Sequence, residues 1–325
     1  MVHNASYSYH YPLNQFSHSM TPFGFLCCDK PVGMTSRDAV NIVAGCLRKS
    51  NDGKKVKVGH AGTLDPLAEG VLVLAVGRAV RLVPYVQQQS KFYRATFLLG
   101  QSTVSGDTEG EVTVRDDLPM PNRNQLDAAA ASLRGTITQI PPAHSAIKID
   151  GKRAYDLVRA GKEVVVPSRQ VIINHLDITR FAPPEFDLDI GCGSGTYIRT
   201  LGIDLANAAG SVAVMTYLRR YAVGVFHERD SIPIDEIRNT DPCQFLRPGL
   251  DAVGYLPSFQ IDDDQARRLI NGLDLNLDAL DDAGNVVTSG DAAAIWKGEL
   301  FAVVHRRKIE SQSYQWWPKR VFPRD

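Results

Sequence analysis

A glycine-rich loop that ends in proline is the feature of this sequence that most restricts how the chain can fold. Residues 59–66 read Gly-His-Ala-Gly-Thr-Leu-Asp-Pro, and an apolar run at residues 71–76 follows shortly after. Glycine allows backbone angles that other residues resist, whereas Pro66 fixes its own φ and keeps Asp65 out of the helical region. The pattern predicts a carboxylate held in a defined direction beside a strand. An isolated Asp-Pro would only make a turn or cap a helix.

The octet resembles the nucleophile loop of the TruB-type tRNA pseudouridine synthases, which isomerise the T-loop uridine at position 55 of tRNA. Other segments resemble motifs of the same family, and together they cover most of residues 23–225 in the family's order. A strand, turn and helix without a special role would not require these particular motifs. The chain is therefore identified as a member of this family. The further matching segments are residues 30–36, 93–94, 106–110, 139–152, 195–200 and 212–224.

The resemblance implies a set of catalytic residues. Asp65 is the expected nucleophile, and a carboxylate can attack the sugar C1′ or the base C6, or stabilise a glycal-forming path. Arg199 is the expected cation that keeps Asp65 ionised through a charge-assisted contact. Tyr197 is expected to contact the base or to take part in removal of its C5 proton, and Tyr93 to stack on the ring.

Further residues are expected to bind the RNA. A base inside a folded loop must be flipped out of its stack, and His60 is expected to fill the space that it leaves. By resemblance Leu218 lies against the uracil, while Asp107 organises a turn. The cations expected to contact RNA phosphates are Lys30, Lys148, Lys152 and Arg153. At His144 the family more often has Tyr or Phe, so no aromatic contact is assigned there.

Charge and composition limit the function classes. The 325 residues are 44% hydrophobic and 22% charged, and no apolar run approaches the ~20 residues that a membrane span needs. The net charge is zero, but residues 1–230 carry 25 Lys and Arg against 21 Asp and Glu, while residues 231–325 carry 11 against 15. A localised phosphate-binding face is compatible with this distribution, and so are ordinary solvated surfaces.

No cofactor or metal is expected. The five cysteines form no Cys-x-x-Cys pair, which speaks against a zinc site or a disulfide framework and fits a reducing cytoplasm. Residues 191–196 imitate a dinucleotide-binding loop, but Thr196 stands where the third glycine would be required, and no P-loop lysine follows.

Periodicity predicts alternating strands and helices. Ser36 is the expected N-cap of a helix over residues 37–47, and a strand begins at Lys91 with its odd-numbered residues on one face. A second strand spans residues 186–190, and a helix with Leu201 and Leu205 inward follows the glycine loop. Further expected helices cover residues 78–88 and 124–133, a linker-like stretch begins at residue 230, and residues 292–296 and 300–305 form a hairpin.

The resemblance implies an α+β pseudouridine synthase fold, with a mixed, largely antiparallel sheet, flanking helices and a small C-terminal β-rich PUA-like module. We expect a flexible extension at residues 1–22, a catalytic domain at 23–250 and the module at 251–325. The expected activity is that of a stand-alone, monomeric, cytoplasmic isomerase acting on the T-stem-loop of tRNA, without guide RNA or a membrane. A non-catalytic tRNA-binding protein and a guide-dependent synthase remain as alternatives.

Overall fold

A ten-stranded mixed sheet forms the body of the protein, and a four-stranded sheet follows it in the chain. The computed structural model describes residues 21–108, 110–142, 148–149, 152–153, 166–276, 290–310 and 313–323. The strands are β1 Gly24–Lys30, β2 Val58–His60, β3 Glu69–Val76, β4 Lys91–Leu99, β5 Gln101–Ser102, β6 Thr113–Val114, β7 Gly135–Gln139, β8 Lys148–Ile149, β9 Lys152–Arg153, β10 Arg169–Ala182, β11 Glu185–Cys192, β12 Ala213–Val223, β13 Phe226–His227, β14 Ile232–Pro233, β15 Ser258–Gln260, β16 Asp291–Trp296, β17 Glu299–Glu310 and β18 Ser313–Val321. The α-helices are α1 Ser36–Ser50, α2 Val83–Gln88, α3 Arg123–Ser132, α4 Ile198–Ala208, α5 Ile234–Asn239 and α6 Asp263–Ile270.

The order of strands in the large sheet is β14-β1-β3-β12-β4-β11-β10-β7, with β13 paired to β12 and β2 paired to β3. Only β1 with β14 and β3 with β12 are parallel, and the other pairs of this sheet are antiparallel. The predicted fold class, a mixed and largely antiparallel sheet with flanking helices and a C-terminal β-module, is therefore confirmed.

Side chains of β1 alternate between two hydrophobic cores, as the period of a strand requires. Leu26 and Cys28 join the core that contains the buried faces of α1, α3, α4 and α5. Phe25 and Cys27 join the core on the opposite face, which also contains Ala293 and other residues of the C-terminal sheet. The C-terminal strands thus cover one face of the large sheet, and most of the helices cover the other.

Helix α1 begins one residue earlier than the sequence predicts. Its N-cap is Thr35, whose hydroxyl accepts a hydrogen bond from the Asp38 amide (3.1 Å) while the Asp38 carboxylate accepts from the Thr35 amide (3.1 Å). This reciprocal capping box satisfies two backbone donors at once and outcompetes a cap at Ser36. The prediction of Ser36 as the cap is wrong, and its buried side chain is free to contact the loop before Asp65.

Two predicted strands and one predicted helix are confirmed. Along β4 every odd-numbered residue is buried. In β11 the alternating residues Phe186, Leu188 and Ile190 are buried. Leu201 and Leu205 of α4 point into the core. The expected helix over residues 78–88 divides into a 3-10 segment, Gly77–Leu82, and α2, where Pro84 cannot donate the hydrogen bond that a continuous helix needs.

The stretch after residue 230 is not a linker. It contains β14 and α5, whose Ile234 and Ile237 are buried, and the backbone of Arg247 exchanges hydrogen bonds of 2.9 and 2.7 Å with Phe25. Proline here marks the starts of short helical elements rather than a flexible chain, because its fixed φ suits the first helical turn.

The predicted C-terminal hairpin is confirmed by antiparallel pairing of β16 with β17. Val253 belongs to one hydrophobic core with residues of the large sheet and of the C-terminal strands. This shared core joins the C-terminal strands to the large sheet. The domain boundary between residues 250 and 251 stays a prediction, and residues 1–20 of the expected extension lie outside the described residues. Among the helices of the described ranges, none has the length and apolar character needed to cross a membrane.

Substitution of Gly202 by alanine is expected to destabilise the fold. A Cβ there would lie 2.0 Å from the Phe97 ring, which is fully buried, so the core must rearrange. Overpacking of this kind costs about 1–3 kcal/mol, which a lower urea midpoint would report. Gly45→Ala is the matched control, since Gly45 is also helical but its Cβ would meet nothing within 4 Å; it should raise stability by about 0.5–1 kcal/mol. Equal midpoints for the two variants would contradict this account of the core.

Candidate active site

The loop that carries Asp65 is fixed by hydrogen bonds on both sides of the aspartate. The buried Ser36 hydroxyl accepts from the Leu64 amide (2.8 Å) and donates to the Leu64 carbonyl (2.9 Å). The Pro66 carbonyl accepts from the Gly33 amide (2.8 Å). The N-terminal end of α1 and the turn before it therefore fix the backbone of the loop on both sides of Asp65.

A buried arginine also holds this loop, by hydrogen bonds to backbone carbonyls. Arg220 of β12 donates from Nε to the Val71 carbonyl (2.8 Å) and from its terminal nitrogens to the Gly62 and Thr63 carbonyls (3.2 and 3.4 Å). Its side chain is buried. This role of Arg220 is not among the roles predicted from the sequence. The signal was an arginine at an inward position of a strand, where a charged residue is rare unless it has partners.

Asp65 and Arg199 meet as the resemblance implies. Arg199, in the first turn of α4, donates from one terminal nitrogen to the Asp65 carboxylate (2.6 Å). Its other terminal nitrogen lies 2.8 Å from the Asp107 carboxylate. The Asp65 side chain is 53% exposed, whereas those of Arg199 and Asp107 are only 10% and 3% exposed. One carboxylate is thus open to a ligand, and the arginine that orients it is anchored from behind by a second.

Asp107 does organise its turn, as predicted, but it also anchors Arg199. The Ser105 hydroxyl donates to the Asp107 carboxylate (2.7 Å), and the Ser105 carbonyl accepts from Arg199 (2.7 Å). Gly106 between them has φ +78°, and a Cβ there would lie 2.8 Å from Ile203 and 3.0 Å from Arg199. The turn therefore needs glycine so that it can approach the arginine closely.

Tyr93 and Leu218 form an apolar wall in one core cluster with Leu64, the residue before Asp65. Tyr93 on β4 and Leu218 on β12 lie on neighbouring strands, and each is about 8% exposed. Burial raises the pKa of the Tyr93 phenol, and Arg220 opposes this effect by a hydrogen bond and by its charge. The phenol is therefore neutral at physiological pH, and its stacking role stays a prediction.

Tyr197 is positioned by its neighbours at the start of α4. Its amide donates to the Gln139 side chain (2.8 Å), which in turn donates to the Tyr197 carbonyl (3.0 Å). The Arg169 guanidinium lies 4.8 Å from the ring centroid, in a cation–π contact. Within the described residues the Tyr197 hydroxyl has no hydrogen-bond partner, and its assigned roles stay predictions.

His60 ends β2, five residues before Asp65. Burial lowers the pKa of its imidazole, and the nearby charges of Arg37 and Arg220 lower that pKa further. Its Nδ1 atom is buried without a hydrogen-bond partner in the described part of the chain. The ring is consequently uncharged at neutral pH, which suits stacking between bases.

The prediction that Lys30 contacts RNA phosphates is wrong. Its side chain is fully buried, and the ammonium donates to the carbonyls of Pro31 (2.8 Å) and Met34 (2.7 Å). Burial lowers its pKa to about 8, against the opposing fields of Asp65 and Glu69. Lys30 therefore stabilises the turn before α1 from inside and does not present a charge to solvent.

The other expected phosphate contacts are not described. Lys148, Lys152 and Arg153 lie in the short pair β8 and β9, but their side chains are outside the described part of the structure. Their RNA-binding roles stay predictions. No three His, Cys, Asp or Glu side chains are grouped as a metal site would need within the described ranges.

Comparison with known proteins assigns the chain to a family. Residues 49–198 match the family model described as TruB family pseudouridylate synthase (N terminal domain). The tRNA pseudouridine synthase B of Rhodopirellula baltica is 38% identical, over 93% of this chain and 95% of that protein. The tRNA pseudouridine synthase B of Caulobacter sp. is 41% identical, over 77% of this chain and 80% of that protein.

Solved structures share the fold at lower sequence identity. An H/ACA RNP bound to a substrate RNA containing 2′-deoxyuridine gives a TM-score of 0.70 at 21% identity, covering 94% of this chain and 87% of that chain. A Cbf5-Nop10-Gar1 complex gives 0.69 at 22% identity, covering 99% and 91%. The fold, the Asp65–Arg199 contact and the near full-length relatives agree: the chain belongs to the TruB family of pseudouridylate synthases and is an isomerase.

Proposed function

We propose that this protein is a stand-alone tRNA pseudouridine synthase that converts the T-loop uridine at position 55 to pseudouridine. The observation that carries the proposal is the half-exposed Asp65 carboxylate, held 2.6 Å from the Arg199 guanidinium beside the apolar wall of Tyr93 and Leu218. An oriented, accessible carboxylate next to a surface that fits a planar base is what nucleophilic attack on a flipped nucleotide requires.

The reaction rearranges bonds within one nucleotide. The N1–C1′ bond breaks, the base turns without leaving, and a C5–C1′ bond forms; C5 loses a proton and N1 gains one, so the composition is unchanged. Asp65 acts as the nucleophile or stabilises the charge that develops on the sugar. Arg199 orients the carboxylate through a charge-assisted hydrogen bond, Tyr93 stacks on the ring, and Tyr197 contacts the base or takes part in removal of its C5 proton. The reaction involves no change of oxidation state and needs no group donor.

A non-catalytic tRNA-binding protein is the first alternative. Binding alone does not need a buried Asp107 that anchors Arg199 against an exposed Asp65, so the arrangement favours catalysis. A guide-dependent synthase is the second alternative. The guide-containing assemblies share the fold at 21–22% identity, whereas the proteins named tRNA pseudouridine synthase B reach 38–41%. We therefore favour action on tRNA without guide RNA, by a monomer in the cytoplasm.

The test is incubation of the purified protein with an unmodified tRNA transcript, without guide RNA and with excess EDTA. Pseudouridine is mapped by chemical labelling and primer extension. Conversion at the T-loop uridine, absent with Asp65→Asn, supports a stand-alone and metal-independent synthase. Tight binding without conversion would overturn the proposal in favour of the alternatives.

His60→Ala is expected to raise KM for tRNA by about tenfold and to change kcat by less than about threefold. The neutral ring is proposed to occupy the space of the flipped base, and stacking on one base contributes about 1–3 kcal/mol. Steady-state kinetics with the tRNA transcript measure both constants.

His60→Phe serves as the matched variant, because it keeps an aromatic ring and removes the imidazole nitrogens. It should restore KM to within a few-fold of the unsubstituted enzyme. If kcat falls in His60→Ala and the phenylalanine does not restore KM, the stacking role is wrong.

A further inference from the structure

The exposed face of α1 is cationic at both ends. The buried residues of the helix are Ser36, Ala39, Val40, Val43 and Leu47. On the opposite side Arg37 and Arg48 are 11 positions apart, which at 3.6 residues per turn places them within about 20° of one another around the axis and about 17 Å apart along it. Between them the exposed Asn41 and Gly45 carry no charge, and the glycine leaves open space.

The loop after α1 adds more exposed cations, and the Arg48 side chain links it to the helix through the Gly53 carbonyl. It contains exposed lysines and returns to β2, which pairs with β3. Residues 36–60 hold six basic residues and only two acidic ones, Asp38 and Asp52. The carboxylate of Asp38 is already engaged by the capping box. We call this the α1 basic surface, and it consists of Arg37, Arg48, Lys49, Lys54, Lys55 and Lys57.

None of these six side chains forms an ion pair with a described residue. Several exposed arginines elsewhere are paired: Arg115 with Asp117 (2.8 Å), Arg123 with Asp127 (2.8 Å) and Arg180 with Asp187 (2.7 Å). The contrast matters because a cation that is already paired must give up its partner before it can bind a phosphate. Arg48 donates from Nε to the Gly53 carbonyl (3.1 Å), but no carboxylate of the described residues has to be displaced before the α1 basic surface binds a phosphate.

The surface adjoins the active site at one end. Ser36, next to Arg37, exchanges hydrogen bonds with Leu64, next to Asp65. The field of Arg37 reaches the imidazole of His60 and lowers its pKa. From there the exposed cations of α1 continue to Arg48, about 17 Å along the helix axis.

We propose that the α1 basic surface binds the sugar-phosphate backbone of the RNA stem next to the target loop. The proposal rests on the function proposed above and names a part of the enzyme that carries affinity without touching the reacting atoms. Unpaired Lys and Arg in a row suit phosphates, which supply most of the sequence-independent affinity of nucleic acids for proteins. An acidic protein partner would also need these positive charges, but it would not need them to lie next to His60 and Asp65.

The test measures tRNA binding as a function of salt. In an Asp65→Asn background, which blocks turnover, Arg37, Arg48, Lys54 and Lys55 are all replaced by glutamine. The dissociation constant of an unmodified tRNA transcript is measured from 50 to 200 mM KCl. Each lost phosphate contact lowers the slope of log K against log salt by about 0.7–0.9, so we expect a slope smaller by about 2–4 and binding weaker by at least about 30-fold at 150 mM.

Arg238→Gln is the matched control. Arg238 is half exposed on α5, whose buried side packs in the core beneath α1, and its nearest carboxylate is 3.8 Å away. Its removal takes away one charge but should leave the slope within about 0.3 of the parent. With Asp65 intact, the fourfold variant should raise KM and retain kcat.

The outcomes separate the two proposals. Failure of the unsubstituted enzyme to convert tRNA overturns the proposed function, whatever the salt slope. Conversion with an unchanged slope and KM in the fourfold variant overturns only the α1 basic surface and leaves its charges to an acidic partner. A thermal midpoint within a few degrees of the parent establishes that the variant is folded, and a fall in kcat equal to the rise in KM would contradict a role in backbone binding.

Discussion

Asp65→Asn is expected to lower kcat for tRNA by at least about four orders of magnitude while leaving the dissociation constant within about threefold. Loss of a residue on which a covalent mechanism depends has effects of this size in other enzymes. Binding should survive because the amide oxygen of the substituted side chain still accepts from Arg199 and the site is half exposed, so the substitution buries no unpaired group. Single-turnover conversion and filter binding with the same transcript measure the two quantities.

A matched control for Asp65 is Asp127 on α3. It is also half exposed, at 47%, and also accepts from an arginine, Arg123, at 2.8 Å. Asp127→Asn removes the same charge from the same kind of pair, so conversion should stay within about twofold of the parent. A large loss in Asp127→Asn, or a modest loss in Asp65→Asn, would mean that net charge rather than chemistry at Asp65 governs the rate.

The sequence predicts local structure well where the signal is local. The alternation along β4 and β11, the inward leucines of α4 and the hairpin of β16 and β17 all follow from residues within one element. The predicted N-cap of α1 is wrong by one position, and the reason is also local. Thr35 and Ser36 both suit an N-cap, and only the reach of Asp38 back to Thr35 decides between them.

Contacts between distant segments account for the rest. Asp65 lies before β3, Asp107 follows β5, and Arg199 opens α4, so their meeting depends on strand order, which periodicity does not give. The family resemblance supplies the pair of Asp65 and Arg199 because it carries tertiary information. It left Asp107 as a turn residue and Lys30 as a phosphate ligand, because a motif names a residue without its depth below the surface.

Asp107→Asn is expected to lower kcat by about 100-fold and to destabilise the protein by about 3 kcal/mol. Asp107 is only 3% exposed, and its carboxylate is the fixed partner of an arginine that also orients Asp65. Without the Asp107 carboxylate, the buried Arg199 keeps Asp65 as its only carboxylate partner among the described residues and loses the contact that fixes its other terminal nitrogen. A displacement of about 1 Å at a reacting group costs about 100-fold in rate. Single-turnover rates at saturating tRNA and urea midpoints measure the two effects.

Activity and stability must be separated, since a buried pair contributes to both. Asp187→Asn is the comparison: Asp187 also pairs with an arginine, Arg180 at 2.7 Å, and accepts from Thr96 at 2.8 Å, but on the β11 part of the sheet without contact to Asp65 or Arg199. Asp107→Asn should lose more stability, because the Arg180 and Asp187 side chains are 47% and 28% exposed, and only Asp107→Asn should lose rate when each is assayed well below its unfolding midpoint. If the two lose rate in proportion to stability, Asp107 only holds the fold; if Asp107→Asn alone loses rate while its affinity for tRNA is unchanged, it positions Arg199 for the reaction.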